Sequence, residues 1–227
     1  VKTLTTGILL ALGLSILIGC HSRAVVQEAS LRPMPQSYRG VLPCADCSGI
    51  ETTLFLDTDG TFVLTEHYQS SRPGTDTFSE YGLWARTADK LVLTRNDGDK
   101  RYFRPRDNGL EVLSTDGAPI KSSLNYRLDA TETPLPVTPM SMQGLYRYMA
   151  EASLFTDCFT GKTLPVVSNL TLEKQYLSLG TRDGAPALMS LEAHFALVPS
   201  VKEGQTVKSV VPDSQKIKLD ASQHCPL

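Results

Sequence analysis

From Ile50 onward the chain alternates. Ile50, Thr52, Leu54 and Leu56 fall on one side, with Glu51, Thr53, Phe55 and Asp57 between them. A period of two is that of a β-strand. Asp57-Thr58-Asp59-Gly60 reads as a turn and Thr61–Tyr68 as a second strand. Ser71-Arg72-Pro73-Gly74 interrupts the pattern. Phe78–Arg86 and Lys90–Arg95 resume it, separated by Thr87-Ala88-Asp89. Asn96-Asp97-Gly98-Asp99 is a hairpin turn, because Asp-Gly tolerates positive φ. Lys100–Arg104, Leu110–Ser114 and Ile120–Leu128 follow, with turns at Asp107-Asn108-Gly109 and Thr115-Asp116-Gly117. Short strands at a spacing of roughly 8–12 residues predict an antiparallel barrel or sandwich.

Residues 131–140, TETPLPVTPM, hold three prolines and no strand pattern, and read as a linker. Beyond it, Gly144–Ala150, Ser153–Asp157 and Gly161–Val167 read as strands. Asn169 is placed to cap a short helix through Thr171–Leu177. Ala187–Val198, Thr206–Val211 and Lys216–Leu219 return to strand. Strands, one helix, then strands fit a small barrel of the OB type. The expected fold is therefore all-β, with two modules.

The first residues have a different character. Ile8–Ile18 is apolar apart from Gly13 and Ser15. About 11 residues are too few to span a bilayer, which takes about 20, and fit the core of a secretory signal. Leu17-Ile18-Gly19-Cys20 resembles a bacterial lipobox, in which the cysteine thiol accepts a diacylglyceryl group before cleavage. The expected organisation is a signal over 1–19 and a lipidated tether over 20–32. A first module covers 33–130, a linker 131–140 and a second module 141–227. An acyl chain on Cys20 would hold an otherwise soluble body on a membrane.

Composition narrows the function classes. Lys plus Arg number 22 against 24 Asp plus Glu, a formal net charge of -2. That balance lacks the basic excess of a nucleic-acid protein. At 41% hydrophobic the chain is too apolar to be disordered.

Four cysteines remain besides Cys20: Cys44, Cys47, Cys158 and Cys225. An even number in an exported chain implies disulfides, and four allow three pairings. Cys44–Cys47 with Cys158–Cys225 is the simplest. The second bridge closes a long loop and would contribute about 4 kcal/mol on the entropic model. Cys44-Ala45-Asp46-Cys47 has three readings: a redox pair, a soft-metal site or a bridge. A redox enzyme needs a helix N-terminus to lower the first thiol's pKa, but Pro43 precedes the motif and strands follow. Thiolates suit Cu(I), whereas a disulfide ligates poorly. Met34 and His67 are the nearest added ligands by sequence. His224 lies beside Cys225 as a solvated tail residue or a modulator of its thiol. Gly161-Lys162-Thr163 resembles the end of a P-loop, but Thr156 stands where that motif needs glycine, which excludes it. Tyr81 and Trp84 read as barrel core or rim. No Ser-His-Asp set or carboxylate pair stands out, and no enzyme is expected.

Several motifs resemble one family. Pro35-Gln36-Ser37-Tyr38-Arg39-Gly40-Val41-Leu42-Pro43-Cys44-Ala45-Asp46-Cys47-Ser48-Gly49-Ile50-Glu51-Thr52 resembles the start of the N-terminal domain of the NlpE (CutF) outer-membrane lipoproteins. Tyr81-Gly82-Leu83-Trp84-Ala85-Arg86-Thr87-Ala88-Asp89-Lys90-Leu91-Val92-Leu93-Thr94 continues it. Phe155-Thr156-Asp157-Cys158-Phe159-Thr160-Gly161-Lys162 resembles that family's C-terminal domain. The resemblance implies a lipocalin-like N-terminal barrel and an OB-like C-terminal domain. It implies a role in copper homeostasis and signalling to the Cpx sensor histidine kinase on surface contact or faulty lipoprotein sorting. The sorting rule of such lipoproteins, with His21 rather than Asp after Cys20, implies outer-membrane lipid facing the periplasm. A lipocalin-like carrier of Cu(I) or of a small apolar ligand is the alternative. Two modules on a Pro-rich linker also leave a homodimer by domain exchange open.

Overall fold

The computed structural model describes residues 33–69, 76–87, 89–200, 204–214 and 216–226. The signal, Cys20, the tether and the Ser71–Gly74 break lie outside the described residues. Eight strands close an antiparallel barrel in chain order. They are β1 (Gln36–Leu42), β2 (Ile50–Leu56), β3 (Thr61–Tyr68), β4 (Thr77–Arg86), β5 (Leu91–Arg95), β6 (Lys100–Arg106), β7 (Gly109–Val112) and β8 (Arg127–Thr131). Each strand pairs with the next, and β1 returns to β8 through Ser37↔Thr131 and Arg39↔Asp129. Closure leaves no strand edge.

Residues opposite one another in an antiparallel pair share a face. The register places Tyr38, Leu54, Leu64, Leu93, Leu110 and Leu128 inside, where they form a buried core with Leu56, Phe62, Leu91 and Phe103. Gly82 is glycine for a reason of space: a Cβ there would fall 2.1 Å from the Thr94 carbonyl oxygen.

The barrel departs furthest from the sequence expectation at its first and last strands. β1 carries no clean alternation, because Gln36 and Ser37 are both buried. Their polar groups are satisfied: Tyr38 donates to Gln36 at 2.7 Å, and Ser37 donates to the Thr131 carbonyl at 2.9 Å. The expected Ile120–Leu128 strand is also displaced. Residues 121–126 form no strand, and β8 runs Arg127–Thr131, where it can reach β1.

After Thr131 the chain runs without regular structure to Met140. The second module has β9 (Met140–Met149), β10 (Ala152–Asp157), β11 (Thr163–Pro165), α1 (Leu170–Ser178), β12 (Ala187–Pro199), β13 (Thr206–Pro212) and β14 (Lys218–Asp220). Its sheet order is β11-β10-β9-β12-β13, with β14 pairing β12. A single parallel bridge, Val166↔Val210, rolls the two ends together without a full ladder. Asn169 caps α1, accepting from the Leu172 amide at 3.0 Å, and Leu172 and Tyr176 turn into the core. Asn169→Ala is expected to cost about 1 kcal/mol in urea unfolding, with the fold retained. Among the described residues no helix is long and apolar enough to cross a membrane.

Candidate functional site

The CxxC lies at one end of the barrel, in the loop from β1 to β2. That loop is fixed to the end of β3: Ser48 N–H donates to the Gln69 carbonyl at 3.0 Å, and Gln69 N–H to the Gly49 carbonyl at 2.9 Å. Cys44 and Cys47 are disulfide-bonded with Cα atoms 5.3 Å apart. Each sulfur is thus committed to the other, and as folded the pair does not fit copper. Reduced, it would present two soft donors. His67 lies near the same barrel end, with Nδ1 2.9 Å from the Thr77 hydroxyl. Met34 precedes β1 and packs against the core at the opposite end. Among the described residues no three His, Cys, Asp or Glu side chains come together as a metal cluster.

The register also points Glu66, Glu80, Arg95 and Arg101 inward at the CxxC end. Arg101 binds Glu66 through two hydrogen bonds, of 2.6 and 3.1 Å, and its Nε lies 3.3 Å from Glu80. Arg95 Nε is 2.7 Å from the other Glu80 oxygen. Burial raises the Glu80 carboxyl above its usual range despite both arginines. Tyr68 and Phe78 meet edge to face at this rim, 5.7 Å apart. Apolar side chains fill the barrel and paired charges cap it, an interior poorly suited to an apolar ligand.

The second bridge joins Cys158, just after β10, to Cys225 in the tail after β14, across 67 residues. Its neighbour Asp157 is only 3% exposed. One Asp157 oxygen shapes the turn, accepting from the Thr160 amide at 2.6 Å and the Thr160 hydroxyl at 2.8 Å. The other accepts a short hydrogen bond from the Tyr81 hydroxyl on β4. Gly161, with φ 67°, lies in the turn from β10 to β11 and leads to a strand and not a helix, so Gly161-Lys162-Thr163 is not the end of a phosphate loop. His224 is exposed.

Tyr81 is therefore not barrel core. It points outward and is buried by the second module, as is Val63 on β3. Burial and the Asp157 charge push the Tyr81 hydroxyl's pKa far up, so it stays a donor. Phe195 of β12 meets the Tyr81 ring edge to face at 5.5 Å. Lys208 of β13 reaches the β2–β3 turn. Its ammonium donates to Asp57 at 2.9 Å, Asp59 at 3.1 Å and the Thr61 hydroxyl at 2.6 Å.

The turn is prebuilt for this. Asp57 Oδ1 accepts from the Thr58 amide and Asp59 Oδ1 from the Thr61 amide, leaving each Oδ2 for Lys208. Burial works to raise the Asp59 carboxyl, but Thr61 and Lys208 together outweigh it and hold it below the usual range. A depressed carboxyl stabilises the fold above its unfolded value, near 3.9, and loses that contribution as pH falls through the lowered folded value. The stability advantage of the wild type over Asp59→Asn, about 1 kcal/mol for a pair whose carboxylate is partly exposed, is expected to be present at neutral pH and to be lost as pH falls below about 4. Urea midpoints for both chains across that range check it.

Sequence reasoning missed this seam. Asp57-Thr58-Asp59-Gly60 was legible only as a turn, and Lys208 lies 151 residues from Asp57. The one local signal was Asp157, an acid that breaks the apolar face of its strand.

Comparisons with known proteins bear on both modules. Residues 38–123 match the NlpE N-terminal domain, and residues 136–226 match the NlpE C-terminal OB domain. Lipoprotein NlpE of Escherichia coli (strain K12) is 48% identical over 220 residues, covering 94% of this chain and 93% of that one. The chain belongs to the NlpE family. A crystal structure of the Cpx pathway activator NlpE from Escherichia coli is 49% identical. It covers 85% of this chain and 98% of its own, with TM-score 0.41. A solved chain from Shewanella oneidensis is 33% identical, covering 44% of this chain and 90% of its own, with TM-score 0.37.

Proposed function

We propose that this NlpE-family chain is a non-enzymatic envelope lipoprotein that signals stress to the Cpx sensor kinase. The carrying observation is the 48% identity that runs through nearly the whole of both chains to Lipoprotein NlpE. It spans both modules, and the E. coli protein of the solved structure is described as a Cpx pathway activator. An acyl group on Cys20 would hold the body on outer-membrane lipid, facing the periplasm and away from the inner membrane. Surface contact, faulty sorting or failed disulfide formation would then let the barrel reach the kinase.

Copper enters this reading through the CxxC. Reduction of Cys44–Cys47 would free two thiolates for Cu(I), and its half-exposed position admits a reductant. The long Cys158–Cys225 bridge would act as the structural staple whose absence loosens the second module.

The test is a Cpx-dependent transcriptional reporter in a Gram-negative host that lacks its own relative. Overproducing the chain is expected to raise the reporter several-fold, and Cys20→Ser to change that response. No rise at verified protein levels would overturn the reading. Anaerobic Cu(I) titration separates the copper role. Tight binding by the reduced chain alone, lost in Cys44→Ser/Cys47→Ser, supports a direct site, and no binding in either state makes copper tolerance indirect.

A further inference from the structure

The loop over residues 113–126, from β7 to β8, is the longest connection in the barrel. A loop of more than about 12 residues without regular structure is uncommon in a compact domain and is often a binding loop. This one is held at several points. Leu113 bridges Pro119, and the Ser114 hydroxyl donates to the Ala118 carbonyl at 2.8 Å. The Leu124 amide donates to the Ser122 hydroxyl at 3.1 Å. Asn125 ties down the far end. Its side-chain amide donates to the Val41 carbonyl at 2.9 Å, and its Oδ1 accepts from the Arg127 amide at 3.1 Å. Between this loop and the outer wall of β6–β8 lies a cavity of about 420 Å³. Small-molecule sites commonly enclose about 300–1,000 Å³ and are largely pre-formed.

The cavity has a charged side and an apolar side. The register sets Glu111 of β7 between Arg104 of β6 and Arg127 of β8. Glu111 accepts from Arg104 and Arg106 through one oxygen, Oε2, at 2.7–3.1 Å. Arg104, with Arg106, holds the Glu111 carboxyl below its usual range, so it is an anion at neutral pH. Arg106 uses only its Nε. Arg127 gives Nε to Asp129 at 2.7 Å and Nη1 to Asp107 at 3.4 Å. Among the described residues no bond is made to Glu111 Oε1, by either terminal nitrogen of Arg106, or by Arg127 Nη2. Asp107 and Asp129 are 87% and 73% exposed, so water screens both pairs and a ligand carboxylate can compete with them. Ile120 and Leu124 line the loop side with apolar surface.

These groups select among ligands by charge. A carboxylate alone would meet the guanidinium donors but would also face the Glu111 anion. An ammonium alone would meet Glu111 but would face two guanidiniums. A molecule that carries both charges satisfies both sets, and an apolar side chain on it covers the loop side. We infer that this cavity binds a small zwitterion with an apolar side chain, a free amino acid or a short peptide. Its carboxylate lies on Arg106 and Arg127, its ammonium on Glu111, and its side chain on Ile120 and Leu124. The site lies outside the barrel's filled interior and does not depend on the signalling reading.

Saturation-transfer NMR on the full-length chain in detergent, with detergent alone as the blank, tests the site. Leucine and leucyl-leucine are the zwitterionic probes. N-acetylleucine keeps only the carboxylate, and leucinamide only the ammonium. At neutral pH at least one zwitterion is expected to receive several-fold more saturation than either single-charge probe, and which one does so separates amino acid from peptide. Arg106→Gln removes uncommitted donors, and Ser122→Trp fills the cavity from the loop side. Both positions are exposed, so both variants are expected to keep the wild-type circular dichroism. Each is expected to lower the transfer several-fold, and should one lose its β signal the other carries the comparison. No transfer to either zwitterion above the blank, or unchanged transfer in a folded variant, would overturn the site. Equal transfer to the single-charge probes would overturn the pairing of both charges. None of these readouts passes through the kinase reporter, so a silent reporter and a failed site are told apart.

Discussion

Replacing Phe155 by alanine is expected to lower the stability of the second module by about 3–5 kcal/mol. Phe155 is fully buried in β10, between Tyr146 of β9 and Leu164 of β11. Its ring lies over Gly144, where a Cβ would fall 2.5 Å from Cε2 and Cζ. The backbone there has moved in as far as glycine permits, so truncating the ring leaves a void that the sheet cannot fill by settling. The cost is then the transfer term plus the cavity term. Far-UV circular dichroism in urea measures it. Phe78→Ala is the control: that ring is 60% exposed and its loss should move the midpoint little. Trp84 fluorescence follows the barrel separately and is expected to shift less than the dichroism for Phe155→Ala.

Removing the long bridge is the second large effect. Cys158→Ser/Cys225→Ser releases a loop of 67 residues, which the chain-entropy account places at about 4 kcal/mol. Cys225 sits in a tail beyond the three-residue β14, with little regular structure of its own to hold it. Cys44→Ser/Cys47→Ser opens a separation of 3 residues inside a loop already fixed to Gln69, and is expected to cost about 2 kcal/mol or less. Urea midpoints of the two double variants, compared with the wild type in dithiothreitol, separate the bridges. Equal losses for both pairs would contradict the assignment of the long bridge as the staple.

The barrel was readable where apolar interior positions recur with a period of two. Ile50–Leu56 and Thr61–Tyr68 alternate because their even positions fill the interior, and Asp97-Gly98 marks its hairpin directly. Strand β1 was not readable, because buried Gln36 and Ser37 replace the apolar signal with side-chain hydrogen bonds. Closure was equally invisible: Ser37 meets Thr131 across 94 residues, and nothing local announces such a pairing. The CxxC and the two remaining cysteines were legible as chemistry, and the structure joins them as Cys44–Cys47 and Cys158–Cys225. The seam was not legible. Tyr81, Asp157 and Lys208 become one unit only once two folded modules meet, and each alone has an ordinary reading as rim, turn and surface.

The central claim is that this NlpE-family lipoprotein signals by where its body is held. The direct measurement compares the Cpx-dependent reporter for the wild type and His21→Asp at equal protein levels. In the sorting rule of such lipoproteins, aspartate after the acylated cysteine favours retention in the inner membrane. The account predicts that His21→Asp moves the protein to the inner-membrane fraction and raises the reporter several-fold. A relocated protein with an unchanged reporter would contradict it.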